Sequence, residues 1–126
     1  MRYVAVAGGA VLGANLRFLM TNWAVDHWGA DFPYGTLIIN VSGAFVIGLF
    51  LALLAPHASI NPLWRFFFAT GFLGGYTTFS SYAWEALTLA NAGAWLRAGI
   101  YVGGSNLLGL VGVWLGATIA SALPKV

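Results

Sequence analysis

Thr70-Gly71-Phe72-Leu73-Gly74-Gly75-Tyr76-Thr77-Thr78-Phe79-Ser80-Ser81-Tyr82 is the stretch on which the reading of the fold turns. It lies inside an apolar run, yet it is a poor helix interior, because adjacent glycines are followed by two β-branched threonines. The sequence therefore predicts a helix broken near 74–78. A break at membrane depth frees backbone N–H and C=O groups, and such backbone is tolerated only when buried in protein or lining a cavity. Broken helices point carbonyls at cations and N–H ends at anions. Past the break, Phe79 and Tyr82 are three apart and share a helix face. Their electropositive ring edges, turned into a narrow path, would replace part of an anion's hydration shell without a fixed charge. The same spacing also serves ordinary helix packing. Ser80 and Ser81 add hydroxyls beside the rings.

The surrounding composition fixes the class. Of 126 residues, 60% are hydrophobic and 6% charged, against about 25% charged in a soluble domain. A soluble enzyme, a disordered chain and a nucleic-acid reader all fit badly, and a net charge of +2 is too thin for a phosphate-binding patch. The absence of cysteine excludes disulfides, zinc-thiolate sites and thiol catalysis. A bilayer core needs about 20 apolar residues per helix. Four spans fit, at about 3–22, 34–55, 63–90 and 96–122, with Pro56 stopping the second, Asn61-Pro62 opening the third and Pro124 following the fourth. Uninterrupted apolar runs, rather than alternation, make these helices and not barrel strands. Arg2 before an apolar run has the look of a signal peptide, but Arg17 interrupts the run and three more spans follow. The expectation is one all-α, multi-pass membrane domain over 1–126.

An even number of spans puts both termini on one side, with Arg2, Arg65 and Lys125, while Arg17 near a helix end and Arg97 lie opposite. That is almost no positive-inside bias. Either the chain has one orientation with its termini inside, or it inserts both ways and pairs head to tail. Four spans are few for enclosing a polar path, and an inverted second copy would supply the symmetry that larger transporters encode in one chain. Seventeen glycines include the small-xxx-small pairs Gly9/Gly13, Gly99/Gly103 and Gly112/Gly116, which serve contacts within or between subunits.

Polar groups within spans need a partner or a task. Arg17 either snorkels to the interface or attracts anions at a vestibule. Asn40 either bonds another helix or offers its amide N–H groups to an anion. Glu85 is the only acid inside a span, with Tyr82 and Ser81 as its i−3 and i−4 neighbours. Tyr101 and Ser105 share a face in the fourth span, Asn106 is adjacent, and Gly109 continues the row. His27, His57, Asp26 and Asp31 read as solvated loop residues. No Ser-His-Asp set, phosphate loop or catalytic carboxylate pair is present, so no enzyme is expected.

Taken together, the sequence resembles the Fluc-type bacterial fluoride channels over nearly its whole length. The resemblance rests on Gly13-Ala14-Asn15-Leu16-Arg17, Gly35-Thr36-Leu37-Ile38-Ile39-Asn40 and, most specifically, Gly71 to Tyr82 through Glu85, with a weaker match at Tyr101 through Ser105. It implies an antiparallel homodimer in the bacterial plasma (inner) membrane with two fluoride pathways. It also implies a structural sodium ion at the dimer centre, held by backbone carbonyls at Gly74 and Thr77. By the same resemblance Asn40 donates to the anion, Phe79 and Tyr82 line the pore with ring edges, and Ser80, Ser81, Tyr101 and Ser105 form the polar lining. Arg17 would serve the vestibule. Two positions depart from the pattern: Tyr82 stands where phenylalanine is usual, and Gly109 stands where some members have a second serine. The tyrosine hydroxyl would donate to fluoride or compete for Glu85. The implied activity is passive fluoride export. The rivals are a proton-coupled small multidrug-type exporter, which would have to use Glu85, and a non-transporting assembly subunit, which would pass no ion.

Overall fold

A computed structural model describes residues 1–55 and 61–123, and every regular element among them is helical. In chain order these are α1 (Arg2–Trp28), α2 (Tyr34–Leu54), α3 (Leu63–Arg65), a π-helical stretch (Phe66–Leu73), α4 (Gly74–Tyr76), α5 (Phe79–Asn91) and α6 (Trp95–Ala122). α1, α2 and α6 are each long and apolar enough to cross a bilayer unbroken. The fourth crossing, from Leu63 to Asn91, is assembled from the shorter pieces.

The passes dock in two pairs: α2 lies mainly against α6, and α1 against the π-helical stretch and α4. Glycines set both contacts. A Cβ added at Gly9 would lie 2.0 Å from Phe67 O, and one at Gly13 would lie 2.0 Å from Phe72 O. On the other pair, a Cβ at Gly116 would lie 2.2 Å from Phe45 O, and one at Gly48 would lie 2.3 Å from Val113 O. Backbone therefore meets backbone, which is how membrane helices gain dispersion contact without a hydrophobic drive between them. Between the pairs, Ile39, Leu73 and Tyr76 form the buried core, with Met20, Phe68 and Phe72 against it. Most other large apolar side chains, such as Phe18, Leu107, Leu110 and Trp114, face outward.

Local signals account for the ends. Leu63 N–H donates to Asn61 Oδ1 at 3.0 Å, so Asn61-Pro62 does start the third pass. Arg65 Nη2 donates to Leu54 O at 3.3 Å, satisfying a carbonyl at the end of α2. α5 closes on Gly93 (φ 76°), where Gly93 N–H bonds Ala90 O at 2.9 Å and Ala94 N–H bonds Leu89 O at 3.0 Å. This Schellman turn reverses the chain into α6.

Four expectations change. α1 runs to Trp28 instead of fading near residue 22, because no breaker occurs before Gly29 (φ 76°). Asp26 and His27 consequently sit in its last turn and not in a loop, with His27 Nδ1 2.7 Å from Trp23 O. Arg17 is no longer near a helix end; eleven residues separate it from Trp28, about 16 Å along the axis. The break is narrower than 74–78: Gly74, Gly75 and Tyr76 remain helical, and only Thr77 (ψ 157°) and Thr78 (φ −150°, ψ 117°) are extended. Gly75 is small for packing and not for bending, since a Cβ there would lie 2.7 Å from Ala10 O. Pro56, His57, Pro124 and Lys125 lie outside the described residues.

Candidate ion pathway at the broken helix

The second of the two extended residues, Thr78, is held by a side chain from another helix. Asn40 Nδ2 donates to Thr78 O at 2.9 Å, and Thr78 N–H donates to Asn40 Oδ1 at 2.8 Å. The amide thus pairs with the backbone as a neighbouring strand would, satisfying both freed groups of one residue. In an unbroken helix Thr78 N–H would bond Gly74 O, so Asn40 withdraws that partner from the Gly74 carbonyl. Thr77 Oγ1 folds back onto Leu73 O at 2.9 Å, and its methyl presses on Gly43, where an added Cβ would lie 2.3 Å away. Thr78 Oγ1 then caps α5, accepting from Ser81 N–H at 3.2 Å and donating to Ser81 Oγ at 3.0 Å, with Ser80 Oγ at 3.3 Å.

Beside the clamp opens a cavity of about 260 Å³. Asn40, Thr77 and Thr78 form one side, Phe79 and Tyr82 the second, and Ser105 with Asn106 the third. Its wall offers neutral donors and aromatic rings, and no charged side chain. Ser105 Oγ is fully covered and has no hydrogen-bond partner, alone in this among the described side chains. A second cavity of about 360 Å³ lies on the other side of the break, between Asn40, Gly43, Ile47, Leu73, Gly74 and Thr77.

Glu85 lies on α5 beyond the first cavity and joins three helices. Thr36 Oγ1 donates to Glu85 Oε1 at 2.8 Å, and Tyr101 Oη donates to Glu85 Oε2 at 2.6 Å. Tyr101 is fully buried, with its ring 5.4 Å from that of Tyr82 and 5.6 Å from that of Phe32. Phe79 lies 5.6 Å from Tyr82 on the other side. A row of rings, Phe79, Tyr82, Tyr101 and Phe32, therefore runs from the break toward the start of α2.

The family model described as "CrcB-like protein, Camphor Resistance (CrcB)" matches residues 4–117. The chain belongs to this CrcB-like family. A protein of Roseiflexus sp. (strain RS-1) is 50% identical over 124 residues, covering 98% of this chain and 100% of its own. One from Rhodospirillum rubrum is 46% identical over 92% of each chain, and one from Aquifex aeolicus is 42% identical over 94% of this chain and 96% of its own. All three bear the name "Fluoride-specific ion channel FluC".

In this CrcB-like chain the structure gathers Asn40, Phe79, Tyr82 and Ser105 around one cavity. Ser80 and Ser81 stand instead in the cap of α5, and Tyr101 is engaged with Glu85. Gly74 and Thr77 meet at the second cavity, and Arg17 is half-buried in mid-helix away from both. Gly109 has no atom within 4 Å of its added Cβ, so the missing serine leaves open space. Two residues that the structure ties to this region were given no role of their own from the sequence. Thr36 is four residues before Asn40 on the same face of α2, a visible signal; Asn106 donates to Tyr82 Oη at 2.8 Å, a contact between helices that no spacing reveals.

Proposed function

We propose that this protein is a fluoride channel that passively exports the anion across the bacterial plasma membrane. The observation that carries the reading is the two-residue break clamped by Asn40, opening on a cavity of neutral donors and ring edges. Its relatives' name supplies the ion. A negative-inside potential drives an anion outward by about 2.3 kcal/mol per elementary charge per 100 mV. The clamp uses one Nδ2 hydrogen of Asn40, and its second is available to the anion. Phe79 and Tyr82 contribute positive edges, and Ser105 contributes a hydroxyl without a competing partner. Donors without fixed cations bind a small, strongly hydrated anion and still release it. Ser80, Ser81 and Tyr101 extend this polar lining from the cap and from Glu85.

The working unit is an antiparallel homodimer. Phe79 is 78% exposed in the subunit, and Gly74, Gly99 and Gly103 have nothing within 4 Å, so the pore side chain and three glycines await a covering surface. A symmetric copy would cover them and close the open side of each cavity. Sodium fits its centre by chemistry: Gly74 O has lost its helical partner, Gly74 and Thr77 line one cavity, and no His, Cys, Asp or Glu cluster competes among the described residues. Backbone carbonyls of Gly74 and Thr77 would hold the ion, which supplies positive field beside the pathway. Arg17, half-buried about 16 Å from the end of α1, would attract anions at a vestibule.

The exporter alternative is not favoured, because both Glu85 oxygens are occupied by hydroxyls of two other helices. The test is efflux from proteoliposomes, followed with fluoride and chloride electrodes. Fluoride release without chloride release, and without a pH gradient, is expected; flux that needs a pH gradient would overturn the channel reading.

A further inference from the structure

We propose that the phenolic hydroxyl of Tyr82 is itself a hydrogen-bond donor to the permeating anion, held in that role by Asn106. The proposal rests on the anion-conducting reading above and adds a donor that the ring edges alone do not provide.

The direction of the Tyr82–Asn106 contact is settled by a third group. Asn106 Nδ2 lies 2.7 Å from Val102 O and 2.8 Å from Tyr82 Oη. A backbone carbonyl only accepts, so the amide must turn its nitrogen, not its oxygen, to Val102. That nitrogen has two hydrogens; one goes to Val102 O and the other to Tyr82 Oη. Tyr82 is therefore the acceptor in this pair, and its own O–H hydrogen points elsewhere. Glu85, the acid one turn along α5, does not take it: its oxygens meet the hydroxyls of Thr36 and Tyr101, and Tyr82 Oη bonds Asn106 instead.

What remains in front of Tyr82 is the cavity of about 260 Å³. Ser105 Oγ, buried and without a partner, lines the same space. The second amide hydrogen of Asn40 completes a set of three neutral donors. A small anion is the ligand that such a set accepts. A hydrogen bond to a charged partner is about twice as strong as one between neutral groups, so the hydroxyl contributes affinity for the anion and not only polarity. Asn106 acts through Tyr82 and is a positioning residue; with its two hydrogens spent on Val102 and Tyr82, it has none for the ion.

Fluoride efflux from proteoliposomes, measured over a range of internal fluoride, tests this with Tyr82→Phe, Asn106→Leu and the double variant. Tyr82→Phe keeps the ring and its packing. It should raise the half-saturating fluoride concentration about tenfold, the equivalent of one charge-assisted hydrogen bond. Asn106→Leu should raise it less, and the double variant should match Tyr82→Phe alone, because Asn106 matters only through the hydroxyl. A purely structural Tyr82 would leave half-saturation unchanged. With the wild type conducting, half-saturation within twofold of it in Tyr82→Phe, or additive effects in the double variant, would overturn the proposal. A wild type that passes no fluoride would overturn the channel reading and this proposal together.

Discussion

The two halves of the third pass differ in what holds them. Before the break, Gly71 and Gly75 lie against the α1 backbone, where added Cβ atoms would fall 2.6 Å from Val6 O and 2.7 Å from Ala10 O, and Leu73 and Tyr76 are buried. After it, α5 has no buried residue, and its ties are polar: the Thr78 cap, the Tyr82–Asn106 contact and Glu85 between Thr36 and Tyr101. The first half is anchored by shape, which makes it rigid. The second is oriented by hydrogen bonds, which leaves its outer face, with Phe79, free to border a path. A membrane protein can thus divide scaffold from lining within a single pass.

The harshest way to break this contrast is to spoil the shape-fitted half. Gly13→Leu should abolish the folded protein, since overpacking costs about 1–3 kcal/mol even where neighbours can shift, and here an added Cβ would run into the backbone carbonyl of Phe72. Size-exclusion profiles in detergent would show the loss; a normal profile would mean that α1 is not so closely seated. Next is the hinge between the halves. Asn40→Asp keeps an acceptor for Thr78 N–H but turns a second oxygen on Thr78 O, and it puts negative charge at the cavity. Fluoride efflux should fall at least about tenfold, given about 1–3 kcal/mol for a buried group left unsatisfied. Normal efflux would reduce Asn40 to a bystander.

Milder changes sharpen the lining side. Phe79→Ile should slow fluoride efflux severalfold while the elution profile stays as in the wild type, because the ring is 78% exposed in the subunit. An unchanged rate would remove Phe79 from the path. Smallest of all, Gly103→Ala meets nothing within 4 Å in its own subunit and should leave subunit folding intact, with helix propensity gaining about 1 kcal/mol. Weaker dimerisation in a dilution series would place Gly103 at the subunit interface, whereas an unchanged dimer would assign it to lipid. The absence of cysteine also permits a clean orientation test. A single cysteine at Ala92, in the turn before α6, should react with an impermeant reagent from both sides of the membrane if insertion is dual.

Much of this was legible in the residues. Long apolar runs specified the helices, and Gly74 to Thr78 marked the broken pass, because local propensity there disagrees with a helix. What the sequence left broad depends on partners. The glycines and threonines together spread the expected break over 74–78, yet Gly75 serves contact with α1, and the break is confined to Thr77-Thr78, where Asn40 replaces the lost helical bonds of Thr78. The glycine pairs looked alike in sequence; packing separates Gly9/Gly13 and Gly112/Gly116, spent within the subunit, from Gly99/Gly103, which face outward. The π-helical stretch Phe66–Leu73, which packs along α1, had no signal in the sequence.

The Asn40 clamp has a consequence for biosynthesis. Both clamp bonds to Thr78 come from α2, whereas its cap on Ser81 is local, so the break takes its final form only with α2 seated beside it. α2 precedes the third pass in the chain, so the partner that completes the break is synthesised first.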